Sequence, residues 1–464
     1  MPAVKVRIAP SPTGNPHIGF AYTALCNYLF AKQHSGKLIF RLEDTDQQRL
    51  KKHSEQRLLK ALQWLGITCD EGTDTTPYRQ SERLPIYHKY VERLLAAGHA
   101  YRCTCSATRL EHVRAQQRAN KEIPKYDRHC RNKNQPSDAP HVVRLKMPLT
   151  DKTVFTDMLR GEVSIDNQQL DDQILLKSDG FPTYHLASVV DDYEMQITHV
   201  IRAEEWLSST PKHVQLYRVL GLTMPEFVHL PILRNPDGTK ISKRNNPMTL
   251  QLLKRLGILP SALLNYLVHI GGAAQTEQEV LTIAAMQANF VLAKLNIGSP
   301  VFDWDKLLWL NQKHIAALPT ADFCSYVRDE LLTTAMLEQL FPLYRERLTH
   351  LAEFFPRAQF FFASSLPYSE LAVIPPTHSK DEYLPVLHDL AQAFASLQDW
   401  QATAIKEQLQ AIRKQHDLRT RELFMPVRMI TTGTDSSPDL IPTLLLLGQD
   451  LVVYRLRSYL AAMT

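Results

Sequence analysis

The stretch RIAPSPTGNPHIGF, residues 7–20, is the part of this sequence that decides its fold. It overlaps an apolar run, Val4 to Ile8, whose length and composition predict a buried strand. It leads into apolar residues at helical spacing from Ile18 to His34, with Gly36 just beyond them. The sequence therefore predicts a strand, a tight turn rich in proline and glycine, and a helix.

A turn of this kind has the chemistry of an anion site. The free N–H groups of a helix N-terminus and the positive end of its dipole both point toward it. Gly14 and Gly19 let a ligand approach the backbone closely, the three prolines keep the loop from collapsing, and His17 supplies a directional donor. The alternative is an ordinary proline-rich connection with His17 on the surface.

Strand and helix patterns alternate over residues 1–100 and return near residue 191, with strand Ile197 to Arg202, helix Glu204 to Leu220 and strand Phe227 to Leu233. This alternation predicts a parallel sheet with crossover helices. Residues 101–190 differ in texture and indicate an insertion, and the pattern is helical from residue 236. We therefore expect an α/β fold: a Rossmann-type parallel sheet with an α+β insertion, followed by an all-helical C-terminal half.

Composition restricts the classes of protein to consider. The chain has 464 residues, of which 44% are hydrophobic and 22% charged, as in soluble globular proteins with sizeable cores. No window offers about 20 uninterrupted apolar residues, so we expect no membrane span. The N-terminus lacks the apolar stretch of a signal peptide, which predicts a cytoplasmic protein. A net charge of +5 permits a polyanionic partner without requiring one.

Three of the six cysteines are grouped, in YRCTCSATRL (101–110) and KYDRHCRN (125–132). Cys103, Cys105 and Cys130 could supply three ligands of a tetrahedral zinc site. So few cysteines in so long a chain do not make a disulfide scaffold. The alternative to zinc is a former metal site that packing now holds together.

A second phosphate-handling segment is DGTKISKRNN, residues 237–246. Lys240, Lys243 and Arg244 follow a turn within five positions, and two lysines three apart can grip a triphosphate. The alternative is a solvated basic loop, which is the usual state of a short charge run.

Taken together, these two segments resemble known motifs. HIGF (17–20) resembles the HIGH motif of class I aminoacyl-tRNA synthetases, and KISKR (240–244) resembles their KMSKS motif. The match extends to bacterial glutamyl-tRNA synthetases through further blocks in the same order: FRLEDTDQQR (40–49), FPTYHLASVVDD (181–192), ITHVIRAEEW (197–206) and FDWDKLLWLN (302–311).

The resemblance implies an enzyme that activates L-glutamate with ATP and transfers it to the 3′-terminal adenosine of tRNA(Glu). It implies catalytic roles for His17, Lys240 and Lys243, ATP with Mg²⁺ as the nucleotide substrate, and bound tRNA before activation. The implied ATP-binding residues are Ser11, Gly14, His17, Gly19, Lys240, Ser242 and Lys243. The implied glutamate-binding residues are Arg7, Ser11, Glu43, Tyr184 and Arg202.

The three charged glutamate positions each have a plainer alternative. Arg7 could be a surface charge at a strand end, Arg202 could form an ion pair with Glu204 or Glu205 at a helix start, and Glu43 could cap a helix. Arginine suits the proposed role because its planar fork pairs with carboxylates in two hydrogen bonds.

The resemblance also implies a division of labour along the chain. Residues 1–100 and 191–235 would form the Rossmann catalytic domain, 101–190 the insertion at the tRNA acceptor end, 236–320 a helical stem-contact domain, and 321–464 a helical anticodon-binding region. Arg347 would read the third anticodon base, or would be an exposed helical arginine. We expect tRNA(Glu) as the partner, no membrane, and a monomer.

Zinc-bearing relatives use a pattern like Cys-x-Cys…Cys-x-His, and Asn132 stands at the last of these positions. Tyr126, four residues before Cys130, is the substitute we expect, while His129 is sterically less natural.

Three other departures from the family are Phe20 in the HIGH-like motif, Tyr22 in place of arginine, and Ser188 where a relative could have asparagine. Two alternatives are a short relative that modifies a tRNA base, against which the chain length argues, and a non-catalytic tRNA-binding paralogue, against which the intact motifs argue.

Overall fold

The structure is a computed structural model that describes residues 3–72, 78–133, 135, 138–241 and 248–463. Ser242, Lys243 and Arg244 of the second motif lie outside the described residues. The nine strands are β1 Lys5–Ile8, β2 Lys37–Phe40, β3 Ala100–Cys103, β4 Val142–Leu145, β5 Lys152–Asp157, β6 Gly161–Asp166, β7 Ile174–Leu176, β8 His199–Ala203 and β9 Glu226–Leu230 within those residues.

The helices of the first two-thirds of the chain are α1 Ile18–Gln33, α2 Ser54–Leu65, α3 Leu84–Ala96, α4 Ala107–Ala119, α5 Tyr184–Glu194, α6 Thr210–Leu220, α7 Leu250–Arg255, α8 Pro260–Ile270, α9 Ile283–Asn289 and α10 Trp304–Ala316. The remaining helices are α11 Thr320–Tyr326, α12 Thr334–Tyr344, α13 Phe354–Ala358, α14 Lys380–Ser396, α15 Ala402–Gln415, α16 Thr420–Thr432, α17 Leu440–Leu447 and α18 Gln449–Met463. Short 3₁₀ turns precede α3 and α6, at Gln80–Arg83 and Glu204–Ser209.

The strand–turn–helix predicted from residues 7–20 is present. β1 pairs in parallel with β2, and α1 is the crossover between them. β8 pairs in parallel with β9, and α6 with its preceding 3₁₀ turn connects those two strands. Thr198 N donates to Lys5 O at 2.9 Å, which places β1 beside the start of β8. The carboxyl ends of β1, β2 and β8 therefore lie along one edge, where a ligand site is expected in such sheets.

The region predicted as an insertion divides between two sheets. β3, β4 and β7 form an antiparallel sheet, whereas the β5–β6 hairpin joins the sheet of β8 and β9 in the order β6-β5-β9-β8. α4 has no buried residue, so it lacks the apolar face by which a helix is recognised in a sequence. The sheet thus crosses the boundary at residue 190 that the sequence suggested.

The chain divides into two compact units. The first comprises Met1–Asn15, Gly19–Pro236 and Leu264–Phe302, and the second comprises Pro16–Ile18, Asp237–Leu263 and Asp303–Thr464. In the first unit, α3, α5 and α6 bury Tyr87, Val190 and Leu216 with Phe227 of the sheet. Segments on both sides of residue 236 belong to each unit, so the units differ from the boundaries suggested by the sequence.

The second unit is helical from α10 to α18, with a core that includes Leu387, Leu409 and Leu456. Arg455 is completely buried within it. Its guanidinium donates to the carbonyls of Thr431, Phe360 and Ala363, which ties three segments together. None of the helices that the structure describes is both long and apolar enough to span a membrane.

Candidate functional site

A chain of buried ion pairs lies at the carboxyl edge of the first sheet. Arg7 Nε donates to Asp192 Oδ1 at 3.1 Å, and Arg41 Nη1 donates to the same oxygen at 2.7 Å. Arg41 Nη2 also donates to Glu43 Oε1 at 3.0 Å. β1, the segment directly after β2, and α5 supply these four side chains, all of which are less than a tenth exposed.

The two carboxyl groups of this chain differ electrostatically. Burial would raise the pKa of Asp192, but Arg41 and Arg7 outweigh it and lower that pKa overall. Burial dominates at Glu43 and raises its pKa, although Arg41 and Arg7 oppose the effect. Asp192 is therefore a firm counter-ion for Arg7 and Arg41. Among the described residues, Glu43 has one salt-bridge partner, Arg41. Its charged form is the less stabilised of the two, which makes Glu43 the carboxylate best placed to gain from an added cation.

Arg202 differs from Arg7, Arg41 and Arg83, three buried arginines of this unit that each pair with a carboxylate. It is 5% exposed, yet no carboxylate of the described residues lies within ion-pair distance of it. Its guanidinium donates to Tyr184 Oη at 2.8 Å, Thr210 Oγ1 at 2.9 Å and His229 Nε2 at 3.2 Å. His213 Nδ1 lies 3.4 Å from Nη1. The predicted alternative, an ion pair with Glu204 or Glu205, is therefore absent: Glu204 pairs with Arg160 instead.

The imidazoles around Arg202 are held neutral. Burial and the charge of Arg202 lower the pKa of His213 well below its usual range. Burial also lowers the pKa of His229, with Asp157 opposing the effect, and lowers that of His185 to about 4. At neutral pH the surroundings of Arg202 thus contain hydrogen-bond acceptors that carry no charge.

The hydrogen-bond count at Arg202 shows what the site can bind. Five N–H groups meet four acceptors, so one N–H remains. Tyr184 Oη accepts from Arg202 and keeps its own proton to donate. The Tyr184 ring packs on Trp206, with 4.1 Å between centroids, which fixes the direction of the hydroxyl. A positive charge with two spare donors fits a carboxylate and disfavours a neutral amide, whose NH₂ would face donors.

The loop from Ser11 to Gly14 belongs to the same unit as these arginines. Ser11 is exposed and its carbonyl accepts from Thr13 N at 2.8 Å. Gly14 has a φ of 141°, a conformation open only to glycine, so the sharp turn requires this residue. Gly19 lies in the first turn of α1, which carries no acidic residue. The N-terminus of α1 thus keeps its positive potential.

His17 lies in the second unit and is partly buried. Its backbone forms an antiparallel bridge with Thr249, flanked by hydrogen bonds from Ile18 N to Met248 O at 3.0 Å and from Leu250 N to Pro16 O at 3.0 Å. Residues 16–18 are therefore tied to the segment that directly follows the second motif. Lys240 is exposed, and Lys243 and Ser242 lie outside the described part of the chain.

The grouped cysteines converge as the spacing suggested. The sulfur atoms of Cys103, Cys105 and Cys130 all lie within 4.8 Å of one another. Tyr126 Oη is 3.2 Å from Cys103 Sγ and 3.6 Å from Cys105 Sγ. Sulfurs that share one tetrahedral zinc lie roughly 3.8 Å apart, given Zn–S bonds of about 2.3 Å. The three thiols and the phenol therefore fit a four-coordinate zinc site.

Two other residues near the cysteines fit the site less well. Asn132 is exposed, and His129 Nε2 lies 2.6 Å from Lys133 Nζ rather than toward the sulfurs. The ring of Tyr126 is covered by the Arg144 guanidinium, 3.7 Å from its centroid, and is 6% exposed. Tyr126 is thus the fourth position that the geometry favours.

Arg347, the predicted anticodon residue, lies just after α12. It is exposed, and its Nη1 donates to Ser437 O at 3.4 Å. Arg428 donates to the same carbonyl at 2.6 Å. Two guanidinium groups therefore meet on one neutral acceptor at this surface of the helical unit.

Comparison with known proteins gives the family. A family model for class I tRNA synthetases (E and Q), catalytic domain, matches residues 3–309, and one for an anticodon binding domain matches residues 314–460. Over 472 residues the chain is 42% identical to a glutamate–tRNA ligase of Ectopseudomonas mendocina, which covers 99% of this chain and 96% of that protein. The chain belongs to the glutamate–tRNA ligases.

Other glutamate–tRNA ligases agree. That of Pseudomonas aeruginosa is 42% identical over 475 residues, covering 99% of this chain and 95% of the relative. The crystal structure of a glutamate tRNA ligase from Elizabethkingia meningosepticum, in complex with its amino acid, has a TM-score of 0.66 at 31% identity and covers 99% of this chain and all of that one. The predicted family and fold class are confirmed.

For this glutamate–tRNA ligase, the structure brings together Arg7, Glu43, Tyr184 and Arg202 of the predicted site in one unit. Sequence reasoning missed several of their partners: Arg41, Asp192, Asp157, Thr210, His213 and His229. Arg41 and Asp192 lie inside blocks that matched the family. Nothing in the sequence indicated a role for His213 or His229, because a single histidine on an apolar element usually has a structural role.

Proposed function

We propose that this glutamate–tRNA ligase binds L-glutamate through Arg202 and Arg7, activates it with ATP, and transfers it to the 3′-terminal adenosine of tRNA(Glu). The observation that carries the proposal is the buried charge of Arg202, which has only neutral partners among the described residues. A buried cation without a counter-ion is costly, and an anionic ligand relieves that cost.

The charges of the cluster match those of the substrate. The cluster contains three arginines, Arg7, Arg41 and Arg202, and two carboxylates, Asp192 and Glu43. It therefore carries one net positive charge. Glutamate at neutral pH has one net negative charge. We assign its side-chain carboxylate to Arg202 and Tyr184, its ammonium group to Glu43, and a further contact to Arg7, with Ser11 adding a hydroxyl hydrogen bond.

Activation needs no side-chain nucleophile. The α-carboxylate of glutamate attacks the α-phosphorus of ATP, the bond to the β-phosphate oxygen breaks, and glutamyl-adenylate and pyrophosphate form. A hydroxyl of the terminal tRNA adenosine then attacks the glutamyl carbonyl and AMP leaves. Such a reaction is accelerated by holding the reactants in line and by stabilising the charge on the departing pyrophosphate.

For ATP, we propose Gly14, Gly19 and the α1 N-terminus as the backbone part of the site, with Ser11 and His17 as side-chain donors. Lys240, Ser242 and Lys243 would hold the triphosphate from the second motif, and Lys240 and Lys243 would stabilise the pyrophosphate. Mg²⁺ would accompany the triphosphate, since it binds nucleotides mainly through phosphate oxygens and water.

For tRNA, we propose that residues 101–190 contact the acceptor end, 236–320 the stem and 321–464 the anticodon, with Arg347 at its third base. The match of an anticodon binding domain to residues 314–460 supports the assignment of residues 321–464 to the anticodon. Cys103, Cys105, Cys130 and Tyr126 would hold a structural Zn²⁺ within the acceptor-end region. We propose a monomer that works in the cytoplasm without a membrane partner.

The test is glutamate-dependent exchange between ATP and pyrophosphate, measured with and without tRNA(Glu), followed by charging assays with tRNA(Glu) and tRNA(Gln). We expect exchange that depends on tRNA(Glu), and glutamylation of that tRNA. No glutamate-dependent exchange in the presence of tRNA would overturn the proposed function. Efficient charging of tRNA(Gln) would overturn only its restriction to one tRNA.

A further inference from the structure

We propose that His229 and His213 are positioning residues that aim Arg202 at the substrate carboxylate by accepting its hydrogen bonds in the neutral state, and that Asp157 sets the tautomer of His229. The proposal rests on the function proposed above. It gives Asp157, His213 and His229 roles that act through Arg202.

The first step is the tautomer of His229. Asp157 Oδ2 accepts from His229 Nδ1 at 2.7 Å and from His229 N at 3.0 Å. Asp157 Oδ1 accepts from the backbone N–H groups of Leu159 and Arg160, each at 3.0 Å. Every neighbour of this carboxylate is a donor, so the His229 proton lies on Nδ1 and Nε2 is left as an acceptor.

The accepting nitrogen of His229, Nε2, faces the guanidinium of Arg202. His229 Nε2 lies 3.2 Å from Arg202 Nε and 2.9 Å from Thr210 Oγ1. With the opposite tautomer, an N–H of His229 would point at the N–H of Arg202 and push the guanidinium away. Asp157 thus controls Arg202 through one imidazole, although it lies one residue layer further from the substrate.

His213 holds the other side of the guanidinium. Its Nδ1 lies 3.4 Å from Arg202 Nη1, and its Nε2 lies 3.0 Å from His185 Nδ1. Acceptance at Nδ1 requires the His213 proton on Nε2, which donates to His185 and leaves the His185 proton on its own Nε2. The three imidazoles therefore have one consistent set of tautomers, with an acceptor on each side of Arg202.

Neutral acceptors do something that a carboxylate could not. An aspartate in the place of His229 or His213 would orient Arg202 equally well, but it would cancel the charge that the substrate needs. Imidazole fixes the guanidinium and leaves its charge uncompensated until the ligand arrives. Arg7 shows the contrast, because Asp192 already compensates its charge.

The test uses amides that mimic one imidazole nitrogen at a time. Asparagine reproduces the Nδ1 position of histidine and glutamine the Nε2 position. At 229 the acceptor is Nε2, so His229→Asn should raise the KM for glutamate roughly 10- to 100-fold, the range for losing one hydrogen bond to a charged group, while His229→Gln stays close to wild type. At 213 the acceptor is Nδ1, so His213→Gln should be impaired and His213→Asn should not.

The crossed pattern separates orientation from simple packing, since a packing role would rank the variants by size at both positions. The KM for ATP should stay unchanged in all four. His99→Asn is the matched control, because His99 is exposed and lies outside the site. Arg202→Lys is the reference for loss of the cation itself.

A spectroscopic measurement covers the case in which the variants fail to fold. In the wild-type protein, ¹⁵N chemical shifts should show His229 protonated on Nδ1 and unprotonated on Nε2. Asp157→Asn should increase the Nε2–H tautomer and the KM for glutamate together. A wild-type His229 with its proton on Nε2 would overturn the proposal on its own.

The outcomes also separate this proposal from the proposed function. If wild-type protein does not activate glutamate, the function itself is wrong. If Arg202→Lys has no effect on the KM for glutamate, the assignment of Arg202 is wrong. If Arg202→Lys is impaired while His229→Asn and His213→Gln match wild type, only the positioning roles are wrong.

Discussion

At the scale of single residues, the site depends on which arginines have counter-ions. Arg7 and Arg41 share Asp192, whereas the partners of Arg202 within the described part of the chain are hydroxyl groups and imidazoles. Burial makes this difference matter, because the cost of an uncompensated charge rises as water is removed. Arg202 is thus prepared for an anion before the anion binds.

Tyr22 and Ser188, two residues that depart from the family pattern, are both buried. Tyr22 is 3% exposed and lies against Gly271, where an added Cβ would be 2.5 Å from the tyrosine hydroxyl. Glycine at 271 is therefore what admits Tyr22. Ser188 is completely buried, and its hydroxyl has no hydrogen-bond partner among the described residues. Nothing in the structure explains why serine stands there.

The buried imidazoles predict a pH-dependent stability. Burial lowers the pKa of His185 from 6.5 to about 4, and Lys212, Arg202 and Asp171 are the charged groups that act on it. The unfolded chain binds a proton in this interval and the folded chain does not, so stability falls as the pH drops from 6.5 toward 4. His185→Asn keeps an acceptor for His213 and removes the titration.

We expect wild-type protein to lose about 1–2 kcal/mol more of its free energy of unfolding than His185→Asn does between about pH 7 and pH 5. Urea titrations at both pH values measure this difference. Equal losses in the two proteins would contradict the assigned origin. His213 and His229 act in the same direction and remain in both proteins.

At the scale of elements, short backbone pairings connect segments that the chain separates widely. Pro16–Ile18 pairs with the segment that begins α7, and Thr249 is the residue that joins them. Thr249 Oγ1 accepts from Leu252 N at 3.1 Å as the N-cap of α7, and it donates to Asp450 Oδ2 at 2.5 Å in the first turn of α18. One hydroxyl therefore holds two helices of the second unit.

Thr249→Ala should lower the free energy of unfolding by about 2 kcal/mol, since it removes an N-cap and a hydrogen bond to a carboxylate. Thr249→Ser keeps the hydroxyl and is the matched control. Chemical denaturation of the full chain compares the two variants. Equal stability of the alanine and serine variants would show that the hydroxyl is not what joins the helices.

The cysteine cluster is a second feature at this scale, formed where β3 and the segment after α4 meet. We expect purified protein to contain about one zinc ion per chain by elemental analysis. Cys130→Ser should lose the zinc and melt at a lower temperature, because structural zinc contributes directly to folding. Cys324→Ser is the control, as Cys324 is exposed and stands apart from the cluster. A wild-type protein free of zinc would contradict the site.

At the scale of the whole molecule, specificity for tRNA is expected from the helical unit. Arg347 is exposed and shares Ser437 O with Arg428, so part of its fork of donors faces solvent. Glutamate and glutamine anticodons differ at the third base, which an arginine can read through its fork of donors. A helical unit that carries this residue can thus distinguish two tRNAs that share much else.

Arg347→Gln should lower kcat/KM for tRNA(Glu) about tenfold and reduce the preference over tRNA(Gln), while the KM for glutamate stays unchanged. Charging kinetics with both tRNAs measure the change. Arg345→Gln, at an exposed arginine two positions away, is the matched control. An unchanged preference in Arg347→Gln would leave this residue with a structural role only.

Much of this architecture could be predicted because it depends on short stretches of sequence. The strand, turn and helix around residues 7–20 follow from apolar spacing, proline and glycine, and the structure has them at Lys5–Ile8 and Ile18–Gln33. The grouped cysteines were recognisable from their spacing alone. The β5–β6 hairpin was not, because which sheet a hairpin joins depends on distant strands.

The sequence by itself determined the family, the alternation of strand and helix, and the residue types at the site. Only the tertiary structure decided their electrostatics. Arg7 meets Asp192 from 185 positions away, and Arg41 meets it from 151. Arg202, by contrast, receives hydroxyls and neutral imidazoles from α5, α6 and β9. No local pattern encodes such partners, since a counter-ion is chosen by what folding brings within about 4 Å, where charge interactions are strong once water is excluded.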